Sequence, residues 1–202
     1  MSEASASPTG LTAVDEVAGG GRTLVVASRL MLAANTTFQL TMLFTYLYLR
    51  ANNFGGMWHP SGVSSPPEVI ALAALVLPLI GVLALLGVNS AVARGSERAG
   101  SLKGLLVLAL AAVILTGAVR IFLMYQFGWD LQNGTYIDVS TVWYGIVLAE
   151  FIAVGLWLLS LVMGRIRGQS PISPPQARAM LEQWTYVTGA AIVVYLLVQF
   201  LT

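Results

Sequence analysis

The sequence predicts an all-α integral membrane protein, a bundle of five transmembrane helices. Three observations carry this. The chain of 202 residues is 57% hydrophobic and only 9% charged, where soluble domains run at about 25% charged residues. Its mean hydropathy is +0.80. Five apolar stretches are each long enough to cross a hydrocarbon core, which takes about 20 residues.

The elements follow in order. Residues 1–21, "MSEASASPTGLTAVDEVAGGG", lack a basic start and an apolar centre, so they read as a disordered tail and not a cleavable signal. The first helix is expected over about 23–50 and the second over about 67–93, with Pro66 and Pro67 at its start, where a missing N–H is harmless. The third is expected over about 103–127, the fourth over about 140–163 and the fifth over about 176–201. The links, "GGMWHPSG", "RGSERAGS", "GWDLQNGT" and "RGQSPISPP", are short and rich in helix breakers.

Charge and aromatic placement orient the bundle. Arg22, Arg94, Arg98, Lys103, Arg165, Arg167 and Arg178 fall on one face of a five-crossing chain, against Arg50 alone on the other. By the positive-inside rule the N-terminus is cytoplasmic, the C-terminus is outside, and the protein is a multi-pass protein of the inner or plasma membrane. Tyr46, Tyr48, Trp58 and Arg50, and then Trp129, Tyr136, Trp143 and Tyr144, read as clusters at the outer lipid–water boundary.

Four charges lie within the expected spans: Arg29, Arg120, Glu150 and Glu182. Intramembrane charges are costly and point to a partner or a pathway. By the helical rise, Arg120 is roughly 12 Å and Glu150 roughly 15 Å from the outer ends of their helices. Matched depth on consecutive helices favours a structural ion pair. The alternative makes Glu150 a proton carrier. Arg29 and Glu182 could pair too, if the first and fifth helices touch.

Catalytic chemistry is sparse. There is no cysteine and one histidine, His59, in a link beside Trp58 and Pro60, so no metal or haem site is expected in this chain. No HExxH, GxSxG or phosphate-binding glycine loop occurs. Small residues, among them Ala33, Gly81, Gly117, Gly155 and Gly189, suit close helix packing.

Residues 28–63, "SRLMLAANTTFQLTMLFTYLYLRANNFGGMWHPSGV", resemble subunit III of cytochrome c oxidase and related haem-copper oxidases. Ser28, Leu30 and Met31 match the start of that family's Ser-Glu-x-Met-Phe-Phe helix. Tyr46, Tyr48, Leu49 and Arg50 match its end. Gly55, Gly56, Trp58, Pro60 and Gly62 resemble the link that follows, with His59 in place of a proline. Five helices with this orientation match the family's short form. The departures are Arg29 for an acidic residue, Arg120 in a helix where Glu is usual, and no paired histidines near Trp143 to Glu150. Thr185 and Thr188 stand where His and Asp are usual. The resemblance implies a non-catalytic structural or assembly subunit of a terminal oxidase that reduces oxygen and pumps protons. Its haems and copper would lie in catalytic subunit I, its partners would be that subunit, the other subunits and membrane lipids, and no nucleic acid is expected. Two other readings remain: an accessory protein of nitric oxide reductase, and an independent small transporter.

Overall fold

The structure, a computed structural model, describes residues 13–53, 58, 67–95, 99–126, 134–168 and 172–200. These form five helices: α1 (Ala13–Ala51), α2 (Glu68–Ala93), α3 (Ala99–Gln126), α4 (Thr135–Ile166) and α5 (Pro174–Phe200). Four are long and apolar enough to cross a membrane: α2, residues Ser101–Tyr125 of α3, α4 and α5. The more polar α1 is not among those four.

Local chemistry explains the boundaries. Pro67 is the N-cap of α2. α5 starts two residues before the expected 176, at Pro174. The Ser173 N–H donates to Gln176 Oε1 at 3.0 Å, so Ser173-Pro-Pro-Gln176 makes the backward half of a capping box with prolines in the first turn. α2 and α4 are stopped by Gly95 and Gly168 at φ 60° and 69°, a left-handed conformation that suits glycine. α1 starts at Ala13, well before the expected 23, so residues 13–21 are helical and not part of a disordered tail. Its passage through three glycines has a packing reason at Gly21, where a Cβ would lie 2.9 Å from Pro175 Cγ at the head of α5.

Direct packing links α1 to α5, α5 to α2, α2 to α3, α3 to α4 and α4 to α1, and α4 also meets α5 across the middle. The bundle is therefore a closed ring in the order α1, α5, α2, α3, α4. Among the described residues α1 does not pack directly on α2, its neighbour in the chain. Side-chain contacts fix directions. Ser28 meets Gln183 and Tyr46 meets Leu197, so α1 runs parallel to α5. Phe151 stands edge-on to Trp184 and Tyr136 bonds the Val198 carbonyl, so α4 runs against α5. Val113 faces Gly155 and Leu148 faces Gly117, so α3 runs against α4. Arg22, Arg94, Lys103, Arg165, Arg167 and Arg178 therefore share one end of the bundle, and Arg50 lies at the other. Arg98 falls outside the described residues.

The core is built by close approach. A Cβ on Gly81 of α2 would lie 2.6 Å from the Trp184 indole. That indole is fully buried and donates Nε1–H to the Pro78 carbonyl at 3.0 Å. At the Arg50 end, Tyr46 stands edge-on to Trp58, with centroids 5.2 Å apart, and Trp58 edge-on to Tyr136 at 5.6 Å. Tyr46, Trp58, Tyr136, Trp143 and Tyr144 are all buried. This corrects the expected boundary cluster: of Tyr46 and Tyr48, two residues apart and so about 200° apart around the helix, only Tyr48 faces outward. Trp129 is outside the described residues.

Candidate functional site

The four expected intramembrane charges separate into three places. Arg29 of α1 reaches Glu182 of α5, with Nη2 to Oε1 at 3.3 Å and Nε to Oε2 at 3.4 Å. Arg178, one turn before Glu182, adds a bond to Oε1 at 3.0 Å. Both arginine side chains are more than half exposed. An exposed network of this kind contributes about 0–1 kcal/mol per pair. Beside it, Gln183 Nε2 donates to both the Ser28 carbonyl at 2.9 Å and its hydroxyl at 3.1 Å, and both residues are buried.

Arg120 of α3 is wholly buried in the middle of the ring. Its Nη2 crosses to α5 and donates to the Ala191 carbonyl at 2.8 Å. Its guanidinium carbon lies 5.5 Å from the centroid of the Tyr144 ring on α4. Nε and Nη1 have no acceptor among the described residues, and the hydroxyls of Thr116 and Thr188 are likewise buried without a partner.

Glu150 of α4 does not pair with Arg120, contrary to the expectation from matched depth. Its Oε1 accepts a bond from Gln39 Nε2 at 2.9 Å, and Gln39 Oε1 accepts from Trp143 Nε1 at 2.7 Å. An indole N–H only donates. Trp143 therefore fixes the amide of Gln39 so that its NH2 faces Glu150. Two geometric facts separate Glu150 from Arg120. α4 starts at Thr135 and not at 140, which places Glu150 about 22 Å from the helix end against about 9 Å for Arg120. Glu150 is also six residues beyond Tyr144, about 240° round the helix, so it faces α1 while Tyr144 faces the centre. Glu150 Oε2 is buried without a partner among the described residues.

Among the described residues, clefts lie on two sides of α1. One, of about 290 Å³, lies between α1, α4 and α5 and is walled by Met31, Asn35, Phe38, Ala149, Glu150 and Ala153 among others. The second, of about 330 Å³, includes Gln39, Trp143 and Tyr186 in its wall. The Gln39–Glu150 bond thus joins a residue of one cleft to a residue of the other. Gln39 and Gln183 were not singled out by sequence reasoning. The signal was present, since a lone amide in an apolar helix is costly until it finds a partner.

His59 falls outside the described residues. Among the described residues no three His, Cys, Asp or Glu gather in a metal-binding group. No protein-family model and no curated protein matches this chain.

Proposed function

We propose that this chain is a non-catalytic, subunit III-like component of a respiratory haem-copper oxidase, which holds the assembly together in the membrane. The observation that carries the reading concerns the residues behind the resemblance. Ser28, Tyr46 and Trp58, three of the residues that match the family's helix and link, are among those that fasten α1 to the bundle. Ser28 is buried against Gln183, and Tyr46, fully buried, bonds the Leu197 carbonyl at 3.4 Å and stands edge-on to Trp58. Side chains that answer to the family pattern and also carry the packing support a shared scaffold. Large apolar side chains stand exposed on every helix, among them Phe44, Leu72, Ile114, Leu156 and Phe200, as lipid and neighbouring subunits require.

In this reading α1 is a fifth span. Its threonines support that: the hydroxyls of Thr36, Thr37, Thr41 and Thr45 each donate to a carbonyl one turn back, at 2.8–3.1 Å, so they bring no unsatisfied donor into lipid. The basic end faces the cytoplasm, which places the N-terminus inside and the C-terminus outside.

The test is purification of the tagged chain from its native membranes in mild detergent. Haem and copper in fixed ratio to this chain, with oxygen reduction, are expected. Haem and non-haem iron without copper, with reduction of nitric oxide, would assign it to a nitric oxide reductase instead. A chain that purifies alone and transports a solute in vesicles would refute the subunit reading.

A further inference from the structure

We propose that Arg120 anchors a binding site for a small monovalent anion of the halide class, enclosed at the centre of the bundle. The donors are the two remaining guanidinium nitrogens, Nε and Nη1, and the hydroxyls of Thr116 and Thr188. Binding there is independent of what the chain assembles with.

The fold brings these groups to one place. α2, α3, α4 and α5 pack in turn around a centre, and among the described residues α3 and α5 face each other across it without packing directly. Arg120 spans the distance, with Nη2 on the Ala191 carbonyl. Trp184 marks the face of α5 that looks inward, because its indole meets both Phe151 of α4 and the Gly81 backbone of α2. Thr188 and Ala191 lie one and two turns beyond Trp184 on that face. Thr116 stands one turn before Arg120 on α3, again on the same face. Because α3 and α5 both run against α4, they run parallel to each other. Thr116 precedes Arg120 and Thr188 precedes Ala191, so both threonines lie toward the basic end from the two residues that Nη2 joins.

The chemistry of the donor set selects an anion. Arg120, Thr116 and Thr188 are all buried, and Nε, Nη1 and the two hydroxyls have no partner among the described residues. The hydroxyls are turned away from their own helices. Thr36, Thr37, Thr41 and Thr45 each donate to a carbonyl one turn back, and Thr116 and Thr188 do not. A guanidinium only donates. The Tyr144 ring lies 5.5 Å from its central carbon and offers it no acceptor oxygen of full charge. A water molecule would satisfy donors and leave the enclosed charge in place, which is the larger cost. A small anion satisfies the donors, cancels the charge, and ties α3 to α5 beside the single bond that Nη2 makes.

The experiment follows thermal unfolding of the full chain in detergent as chloride replaces gluconate, an anion too large to be enclosed, at constant ionic strength. The wild-type melting temperature should rise by about 3–5 °C for each tenfold increase in chloride beyond half-saturation, and bromide should act in the same way. Thr116→Val combined with Thr188→Val keeps the charge and the volume, and should raise the half-saturating chloride concentration about tenfold or more. Arg120→Met should melt at the same temperature in both salts. In gluconate, where Arg120 bears its charge alone, that variant should melt above wild type, and rising chloride should close the difference. A wild-type protein that melts equally in chloride and gluconate would overturn the inference and leave water as the partner of these donors. A chloride response that persists in Arg120→Met would place the anion elsewhere and overturn it as well. An unchanged half-saturation in the valine pair would sink the site as assigned.

Discussion

Arg120 is a cation enclosed by its own bundle, and the structure predicts that replacing it with an apolar residue of similar length stabilises the protein. The terms can be weighed from its contacts. In its favour are one charge-assisted bond, from Nη2 to the Ala191 carbonyl, worth about 1.5–3 kcal/mol, and the Tyr144 ring at 5.5 Å, worth about 2 kcal/mol when desolvated. Against it stand two buried nitrogens without acceptors, at about 1–3 kcal/mol each. The enclosed charge itself adds an effective penalty of several kcal/mol. Among the described residues the ion pairs in the bundle belong to other arginines, and no carboxylate compensates this one. The Ala191 carbonyl already sits in the helical ladder of α5, so losing Arg120 does not orphan it. The balance favours Arg120→Met by about 1–4 kcal/mol, the range seen when buried charged groups give way to apolar ones.

Arg120→Ala separates charge from volume. It removes the same penalty but leaves a cavity, at a cost of about 24 cal/mol per Å³, so it should melt below Arg120→Met. The assay is thermal unfolding in detergent followed by tryptophan fluorescence, with Trp143 and Trp184 as buried reporters. A chain of this size shifts by about 2–4 °C per kcal/mol. An Arg120→Met protein that melts below wild type by several degrees would refute the reasoning, and would mean that the guanidinium is satisfied by something other than Ala191 and Tyr144.

Other outcomes follow from the same contacts. Arg120→Met and Glu150→Leu should combine additively within about 0.5 kcal/mol, because they share no partner; a double-mutant cycle in thermal stability checks this. Gly81→Ala should destabilise by about 1–3 kcal/mol, since the new Cβ meets a Trp184 ring that the Pro78 carbonyl holds in place. Gly189→Ala, with nothing within 4 Å of its Cβ position, should be neutral or stabilising by up to about 1 kcal/mol through helix propensity in the same melt. Trp143→Phe should cost about 1–3 kcal/mol, because it leaves Gln39 Oε1 without its donor. Arg29→Ala should change stability by less than about 1 kcal/mol, with the difference shrinking in high salt.

The helices were legible in the sequence, and their rotations were not. Apolar runs, prolines and breaker-rich links located all five elements, with the starts of α1, α3 and α4 each falling earlier than expected, at 13, 99 and 135. The gathering of basic residues at one end also followed from counting crossings. Which face of each helix turns inward did not follow. In water a polar face marks the outside. In lipid the outside is as apolar as the core, so the pattern of Leu, Val and Ala carries little facing information. Tyr46 and Tyr48 look equivalent in sequence, yet one is core and one is surface. Neighbour choice failed for the same reason. Arg120 was expected to meet α4 through an ion pair, because α3 and α4 are consecutive. They do pack together, but the guanidinium reaches past the seam to α5.

The polar residues of α1 explain how it is held in register. Its bonds to the bundle come at three heights: Ser28 with Gln183, Gln39 with Trp143 and Glu150, and Tyr46 with the Leu197 carbonyl. With α1 as the proposed fifth span, each such bond is worth about 0.6–2 kcal/mol, which is modest singly. Sliding α1 by one turn, about 5.4 Å, would break all three sets at once and leave Gln183, Gln39 and Glu150 without their partners in an apolar medium. Apolar packing gives no comparable penalty for a slip, because one exposed Leu or Phe replaces another. The amides and the carboxyl therefore fix α1 in one discrete position. The same discreteness sets the shape of the cleft beside Glu150, since the positions of Met31 and Phe38 follow from the register that Ser28, Gln39 and Tyr46 impose.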